Sequence, residues 1–176
     1  MPRCKHCKEK FNPYKFNQKF CLEPECVAVW VEQEKAKSWL KKKKEMKRDL
    51  ETVQDLMKKA QKVFNEFIRL RDKDKPCVSC SRLLKGKYDA GHYFSSGGHK
   101  NITFNEDNVH GQCVYCNRSL HGNLINYQLG IAKRIGADKL IELNGKAHNE
   151  YKPTREELRH LINFYKDKVA ELKKNN

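Results

Sequence analysis

Pro76-Cys77-Val78-Ser79-Cys80 and Gln112-Cys113-Val114-Tyr115-Cys116-Asn117 decide how this chain is read. Each run places two thiols three positions apart, and a tight turn brings such a pair to one side, so each pair chelates one ion. Together the pairs predict a tetrahedral four-thiolate zinc site on Cys77, Cys80, Cys113 and Cys116. A redox pair is the rival reading of a single CxxC, but two pairs in one small unit favour structural metal.

Working outward, the residues from Pro76 to Cys113 are short of helix formers and rich in Gly, Asn and Ser. Gly86 and the run Ser95-Ser96-Gly97-Gly98 read as turn material, so a hairpin with a long loop is expected. Polar groups crowd this segment: Asp89 and His92 in Tyr88-Asp89-Ala90-Gly91-His92-Tyr93, Asn108 before Cys113, and Asn117 and His121 after Cys116. If a helix runs on from Cys116, Asn117 and His121 form an i, i+4 pair able to reach one ion, which would be a second metal beside the zinc. Each has an ordinary use as well: His92 as a bonded core histidine, Asn117 as a helix cap, His121 as a surface residue. His99 and His110 lack a helical partner and read as loop and hairpin residues or phosphate contacts.

Toward the N-terminus, Cys4-x-x-Cys7 and the more loosely spaced Cys21 and Cys26 make a second quartet for zinc, with His6 as a substitute ligand and Phe11, Phe16 and Phe20 as a minimal core. Val27 to Arg48 is helix-forming, carries Lys41, Lys42, Lys43 and Lys44, and has no apolar stripe, as a solvated basic helix would. Beyond Thr52, a helix cap, the apolar residues Val53, Leu56, Met57, Ala60, Val63, Phe64, Phe67 and Ile68 mark an amphipathic helix to about Arg71. Leu124 to Leu143 reads as helical pieces broken at Gly130 or Gly136. The capping box Thr154-Arg155-Glu156-Glu157 opens a last helix with Leu158, Leu161, Ile162, Tyr165, Val169 and Leu172 on one face. Four parts follow: a zinc module over 1–26, a basic helical connector over 27–75, a metal-held core over 76–150 and a C-terminal helix over 151–176. The apolar faces of Val53–Ile68 and Leu158–Leu172 would either pack on each other or pair between two subunits as a homodimer.

The chain has 176 residues, 38% of them hydrophobic and 34% charged, with 37 Lys and Arg against 22 Asp and Glu. That excludes a large multidomain enzyme, and no run approaches the roughly 20 apolar residues of a membrane span. The N-terminus lacks the apolar core of a signal peptide, so a cytoplasmic location is expected, where eight cysteines serve metal better than disulfides. The formal charge of +15 stays near about +11 with two four-thiolate zinc ions. Such an excess favours a polyanion, and nucleic acid over membrane, because only Trp30 and Trp39 would serve as membrane anchors. Phosphate contacts are expected from Lys41 to Lys44, Arg69, Arg71, Lys85, Lys87, Lys166, Lys168, Lys173 and Lys174. No set of side chains argues for base readout, so recognition by DNA shape is expected.

A CxxC, a His on a hairpin, an Asn shortly before a second CxxC, and Asn and His after it resemble the HNH (ββα-metal) nuclease motif on a treble-clef zinc scaffold. More narrowly, the chain resembles the NinG/Rap family of lambdoid phage recombination endonucleases. The match rests on Asn65-Glu66-Phe67-Ile68-Arg69, Arg71-Asp72, Pro76-Cys77-x-Ser79-Cys80, Asp89-Ala90-Gly91-His92-Tyr93, Phe104-Asn105 and Gln112-Cys113-x-x-Cys116-Asn117. It implies an α+β, mainly helical fold: a small HNH-like zinc core with long helices and an N-terminal zinc-finger-like module. It further implies that His92 is the general base, that Asn108 orients its ring, and that Asn117 and His121 hold a catalytic Mg²⁺ or Mn²⁺. The implied activity is cleavage of branched recombination intermediates such as Holliday junctions and D-loops, beside a phage recombinase and in the host cytoplasm. HNH enzymes commonly carry an acidic or His ligand just before the base, where this chain has Gly91. Asp89, the nearest acid, is assigned as the ligand, which requires Gly91 or a bulge to re-aim the strand. Two other classes remain: an HNH enzyme that cuts or nicks ordinary duplex, and a non-catalytic zinc-finger DNA binder in recombination.

Overall fold

Thr52 begins the element that organises most of the chain. Its hydroxyl accepts from the Asp55 amide, and the Asp55 carboxylate accepts from the Thr52 amide, at 3.1 and 3.2 Å. This reciprocal cap satisfies donors that a helix start otherwise leaves open, and α2 (Val53–Arg71) follows. Thr154 and Glu157 make the same exchange at the start of α5 (Arg155–Lys174). The computed structural model describes residues 1–174, so the last two residues of the expected 151–176 helix lie outside the described residues.

The two amphipathic helices bury their stripes on each other. Leu56 and Ala60 of α2 meet Leu158 and Ile162 of α5, and Phe64 and Phe67 meet Tyr165 and Val169. The Phe64 ring stands edge-on to Tyr165 at 4.8 Å and to Phe104 at 5.7 Å, the arrangement that sets ring edges against ring faces. Of the two expected uses of these faces, packing on each other within the chain is the one seen.

Strands β1 (Tyr88–His92) and β2 (Val109–Cys113) form an antiparallel pair, with Ala90 opposite Gly111 and His92 opposite Val109. The long loop between them holds a single 3₁₀ turn, Lys100–Ile102. After β2 comes one π-helical turn, Tyr115–Ser119, then α3 (Leu124–Ile135) and α4 (Ala137–Lys146). The break between them falls at Gly136, whose φ of +84° lies in the region glycine tolerates best. Gly130 instead stays inside α3, and it is there for space, since a Cβ would lie 1.7 Å from the Val78 carbonyl oxygen. The absent side chain lets α3 press against the Cys77–Cys80 loop, and Val78, Ile102, Tyr127, Ile131 and Leu143 close a second core around the contact.

The chain is thus mixed α+β and mainly helical. It divides into two compact units, Met1–Glu51 and Thr52–Asn176. The division falls inside the stretch read as a connector: α1 (Pro24–Asp49) goes with the N-terminal cysteines and α2 with the larger unit. The physical difference is that α1 buries Cys26 alone, whereas α2 carries a full apolar stripe. Among the described residues no helix is long and apolar enough to cross a membrane.

Candidate metal centres and active site

Both cysteine quartets come together. The sulfur atoms of Cys77, Cys80, Cys113 and Cys116 all lie within 4.8 Å of one another, as do those of Cys4, Cys7, Cys21 and Cys26. Cys80 and Cys113 are 3.8 Å apart, and Cys7 and Cys21 3.7 Å. A disulfide would need about 2.0 Å. A tetrahedron with Zn–S bonds of about 2.3 Å has edges of about 3.8 Å, so each quartet fits a zinc ion. Backbone amides also point at sulfur, Cys113 to Cys77 and Cys21 to Cys4, both at 3.4 Å, which favours thiolates. His6 is exposed and stands outside the first quartet, so it is not a substitute ligand. The expected core there is also corrected: Phe20 is buried and Phe11 packs against it, but Phe16 is 96% exposed.

The core quartet staples the base of the hairpin, and β1 then delivers His92 to its far end. Nε2 of His92 lies 3.1 Å from the Thr103 carbonyl, which can only accept, so Nε2 carries the proton of the neutral ring. Burial lowers the His92 pKa from its ordinary value, against the opposing pull of the Thr103 and Ala90 carbonyls, so the ring is neutral at pH 7. Asn108 does not orient that ring directly, as the sequence reading had it. Fully buried, it accepts from the Phe94 amide at 2.8 Å and donates to the carbonyls of Phe94 and Ile102 at 3.1 and 3.0 Å. It ties the two ends of the loop that presents the Thr103 carbonyl, and so acts on His92 through the backbone.

Asn117 and His121 do not form a helical i, i+4 pair. The turn after Cys116 ends at Ser119, and His121 has a φ of +49°, an uncommon conformation for a residue with a Cβ. They nonetheless border one open cavity of about 710 Å³ together with His92, Gln61 and Asn65 from α2, and Leu124 from α3. Asp89 is not among the residues bordering it. Its carboxylate is held by Arg118 through Nε at 2.9 Å and Nη2 at 3.1 Å, and accepts from Asn117 Nδ2 at 3.1 Å. The Arg118 bonds hold the Asp89 carboxyl below its usual range despite partial burial. Where the sequence leads one to expect a metal ligand, Asp89 is thus engaged by Arg118 and by the Asn117 amide nitrogen and stands outside the residues that border the cavity.

Gly91 has a steric reason. A Cβ there would meet Gln112 Oε1 at 2.2 Å, because the buried Gln112 side chain crosses beneath it and donates to Ser79 Oγ and the Gly122 carbonyl, both at 2.7 Å. Sequence reasoning missed Gln112, Gln61 and Asn65. Gln61 and Asn65 were recognisable as an i, i+4 polar pair at the edge of the α2 stripe, but nothing in the sequence marked Gln112 as buried.

The basic residues fall into two groups. Lys41, Lys42, Lys43, Lys44, Lys85, Lys87, Lys166 and Lys174 are exposed. Arg71 is not a free phosphate contact: it grips Asp72 at 2.9 and 3.0 Å and donates to the carbonyls of Glu106 and Val109. His110 is a hairpin residue, as expected, and not a phosphate contact: it lies buried in β2 beside Arg71, and burial followed by the Arg71 charge pulls its pKa down to about 4. Lys168 pairs with Glu106 at 2.7 Å and lies over the Phe164 ring, while Lys173 pairs with Glu66 and the Arg69 carbonyl takes the Tyr88 hydroxyl.

With the geometry in place, three comparisons bear on it. A family model described as "Bacteriophage Lambda NinG protein" matches residues 1–175. The protein named "Protein ninG" in Escherichia phage lambda is 35% identical, over 97% of this chain and 93% of its own length. Proteins of the same name in Escherichia phage 933W and Salmonella phage P22 are each 34% identical with the same coverage. No solved structure matches the chain.

Proposed function

Since this chain belongs to the NinG family, we propose that it is a metal-dependent endonuclease that cuts branched DNA, on intermediates of phage recombination such as Holliday junctions and D-loops. The observation that carries this reading is that His92, Asn117 and His121 border one open cavity, beside a hairpin whose four cysteine sulfurs converge. Strand, loop, strand and helical turn around a metal-binding quartet also resemble the HNH unit on a treble-clef scaffold.

His92 takes the proton of the attacking water on the ring nitrogen that carries none, the one other than the Nε2 bonded to the Thr103 carbonyl, and burial favours the neutral ring at neutral pH. Asn108 keeps the loop, and hence the ring, in place. Asn117 Oδ1 and the His121 imidazole would hold a Mg²⁺ or Mn²⁺, which when bound supplies charge neutralisation at the scissile phosphate and help to the leaving oxygen. Two protein donors suit an ion that keeps several waters and takes further ligands from phosphate. By family analogy the products carry 5′-phosphate and 3′-hydroxyl ends. The exposed Lys85 and Lys87, and the Lys41 to Lys44 run, meet backbone phosphates.

The test is cleavage of a labelled four-way junction and a linear duplex of matched sequence, with Mg²⁺ or Mn²⁺, by wild type and His92→Ala. Junction cutting that disappears in the variant is expected. Equal cutting of both substrates would replace the reading with a general HNH endonuclease. Tight binding without cutting in either metal would replace it with a recombination accessory.

A further inference from the structure

Phe16 is 96% exposed and Tyr14 84%, and across from them Trp30 of α1 is 47% exposed. These rings border one groove of about 500 Å³ in the N-terminal unit, whose rim also carries Lys5, Lys15 and Lys19. The loop that presents them is held. Gln18 Oε1 accepts from the Tyr14 amide at 2.8 Å, Gln18 Nε2 donates to the Phe20 carbonyl at 2.7 Å, and the Lys5 amide bonds the Lys19 carbonyl at 2.8 Å. Phe20 and Cys21 are buried within the cysteine quartet's own core, so the exposed rings hang from a segment anchored at the metal centre. Two large aromatic side chains standing almost wholly in water on such a segment are arranged for a ligand.

Charge identifies its class. From Met1 to Leu22 there are six basic residues and one acid, and the excess survives four thiolates on one zinc ion. The one acid at the groove, Glu34, is paired with Lys37 at 2.6 Å. An amphipathic peptide helix would look for a row of aliphatic anchor pockets, whereas this groove sets three exposed rings beside two aliphatic residues, Leu22 and Val27. Duplex DNA keeps its bases stacked and offers no base face. Unpaired nucleotides offer both a π-face and a phosphate, the pairing that ring and lysine together recognise.

We propose that the N-terminal unit is a stacking platform for single-stranded nucleic acid, with unpaired bases on Tyr14, Phe16 and Trp30 and phosphates on Lys5, Lys15 and Lys19. The platform lies in the unit Met1–Glu51 and does not depend on the His92 site being catalytic.

The experiment uses the full zinc-loaded chain carrying Trp39→Phe, so that Trp30 is the sole tryptophan, titrated without Mg²⁺ with a ten-nucleotide oligo-dT and with a duplex of equal length. Oligo-dT is expected to quench Trp30 emission. Each stacked base is worth about five-fold to more than a hundred-fold in affinity, so Tyr14→Ala with Phe16→Ala should weaken oligo-dT at least tenfold and duplex less than twofold. Zinc content and melting temperature should not change, because both side chains are exposed. His92→Ala should bind oligo-dT as wild type does, which separates this result from any failure of the nuclease reading. Unchanged Trp30 emission with oligo-dT, or equal weakening of both DNAs in the double variant, would overturn the platform. Tighter binding of a poly-glutamate peptide than of oligo-dT would overturn it in favour of an acidic protein segment.

Discussion

Arg71→Met removes a guanidinium that the sequence presents as a DNA contact and the structure places in the interior. Arg71 is 21% exposed, and its partner Asp72 is 1% exposed. Burial alone would raise the Asp72 carboxyl, but the Arg71 fork, the Gly111 amide at 2.7 Å and Lys75 outweigh it and hold the group well below the carboxylate range. Asp72 is therefore ionised at neutral pH in both folded and unfolded chains, and the variant leaves a buried carboxylate short of its main partner. Losing one member of a buried pair costs about 3–5 kcal/mol, and the remaining Lys75 and Arg134 contacts put this case near about 3 kcal/mol. The unit Thr52–Asn176 holds about 125 residues, and at roughly 2.1 cal/mol/K per residue its unfolding entropy is about 0.26 kcal/mol/K. The melting temperature of the zinc-loaded chain should fall by on the order of 10 °C by scanning calorimetry. Arg71→Lys, which keeps the charge and loses the fork, should fall by less. A surface phosphate contact predicts the opposite pattern: an unchanged melting temperature, weaker DNA binding, and a salt dependence shallower by about one unit of slope. That pattern would refute the structural assignment of Arg71.

Four further outcomes are expected. Cys113→Ser should reduce bound zinc from two ions to one by metal analysis and unfold the larger unit, whereas His6→Ala should keep both ions, since His6 lies outside the quartet. His110, with a folded pKa of about 4 against an ordinary value near 6.5, is neutral in both states above that value; below it only the unfolded chain takes the proton. Its contribution is thus complete above pH 6.5 and lost progressively toward pH 4, by about 3 kcal/mol, and urea titrations of wild type should show a steeper acid loss than those of His110→Gln. Gly130→Ala drives a Cβ into the Val78 carbonyl and should destabilise the larger unit by about 2 kcal/mol, where helix propensity alone predicts a gain of about 1; a higher melting temperature would show that α3 does not press on the Cys77–Cys80 loop. Asp89→Ala releases the Asn117 amide and should lower cleavage at least tenfold while zinc content stays at two; unchanged cleavage would remove Asp89 as a positioning residue.

What the sequence made legible follows from how locally each feature is determined. Zinc quartets depend on ligand type and short spacing, and the caps at Thr52 and Thr154 on residues three apart, so both were readable. The stripes of α2 and α5 were readable as stripes, but periodicity gives a face and not its partner, and they pack on each other. Arg71 looks like a phosphate contact because the sequence does not show that its neighbour Asp72 is buried and takes the guanidinium inward, toward His110. Asn117 and His121 were read through an assumed helix that stops at Ser119, a boundary set by how the chain leaves the metal loop. Phe16 was placed inside on hydrophobicity alone. Hydrophobicity is a one-way guide, and the exposed large apolar residue was the informative one.

Gly91 and Gln112 show why the site departs from the pattern it otherwise resembles. With Gln112 bridging Ser79 of the metal loop and Gly122 beside His121, one buried amide links the first thiolate pair to the turn that presents a proposed donor. Its side chain fills the space a residue before His92 would need, so an acid at that position would disrupt the link. The carboxylate stands instead at Asp89, where Arg118 neutralises it and it meets the cavity only through Asn117. Among the described residues bordering the cavity none is acidic. A divalent ion bound there would gain no protein charge, so its affinity would rest on oxygens brought by the substrate phosphate. On the proposed nuclease reading, such a site would be completed by the DNA itself, and the strongly basic chain would supply the field that draws the phosphate backbone to it.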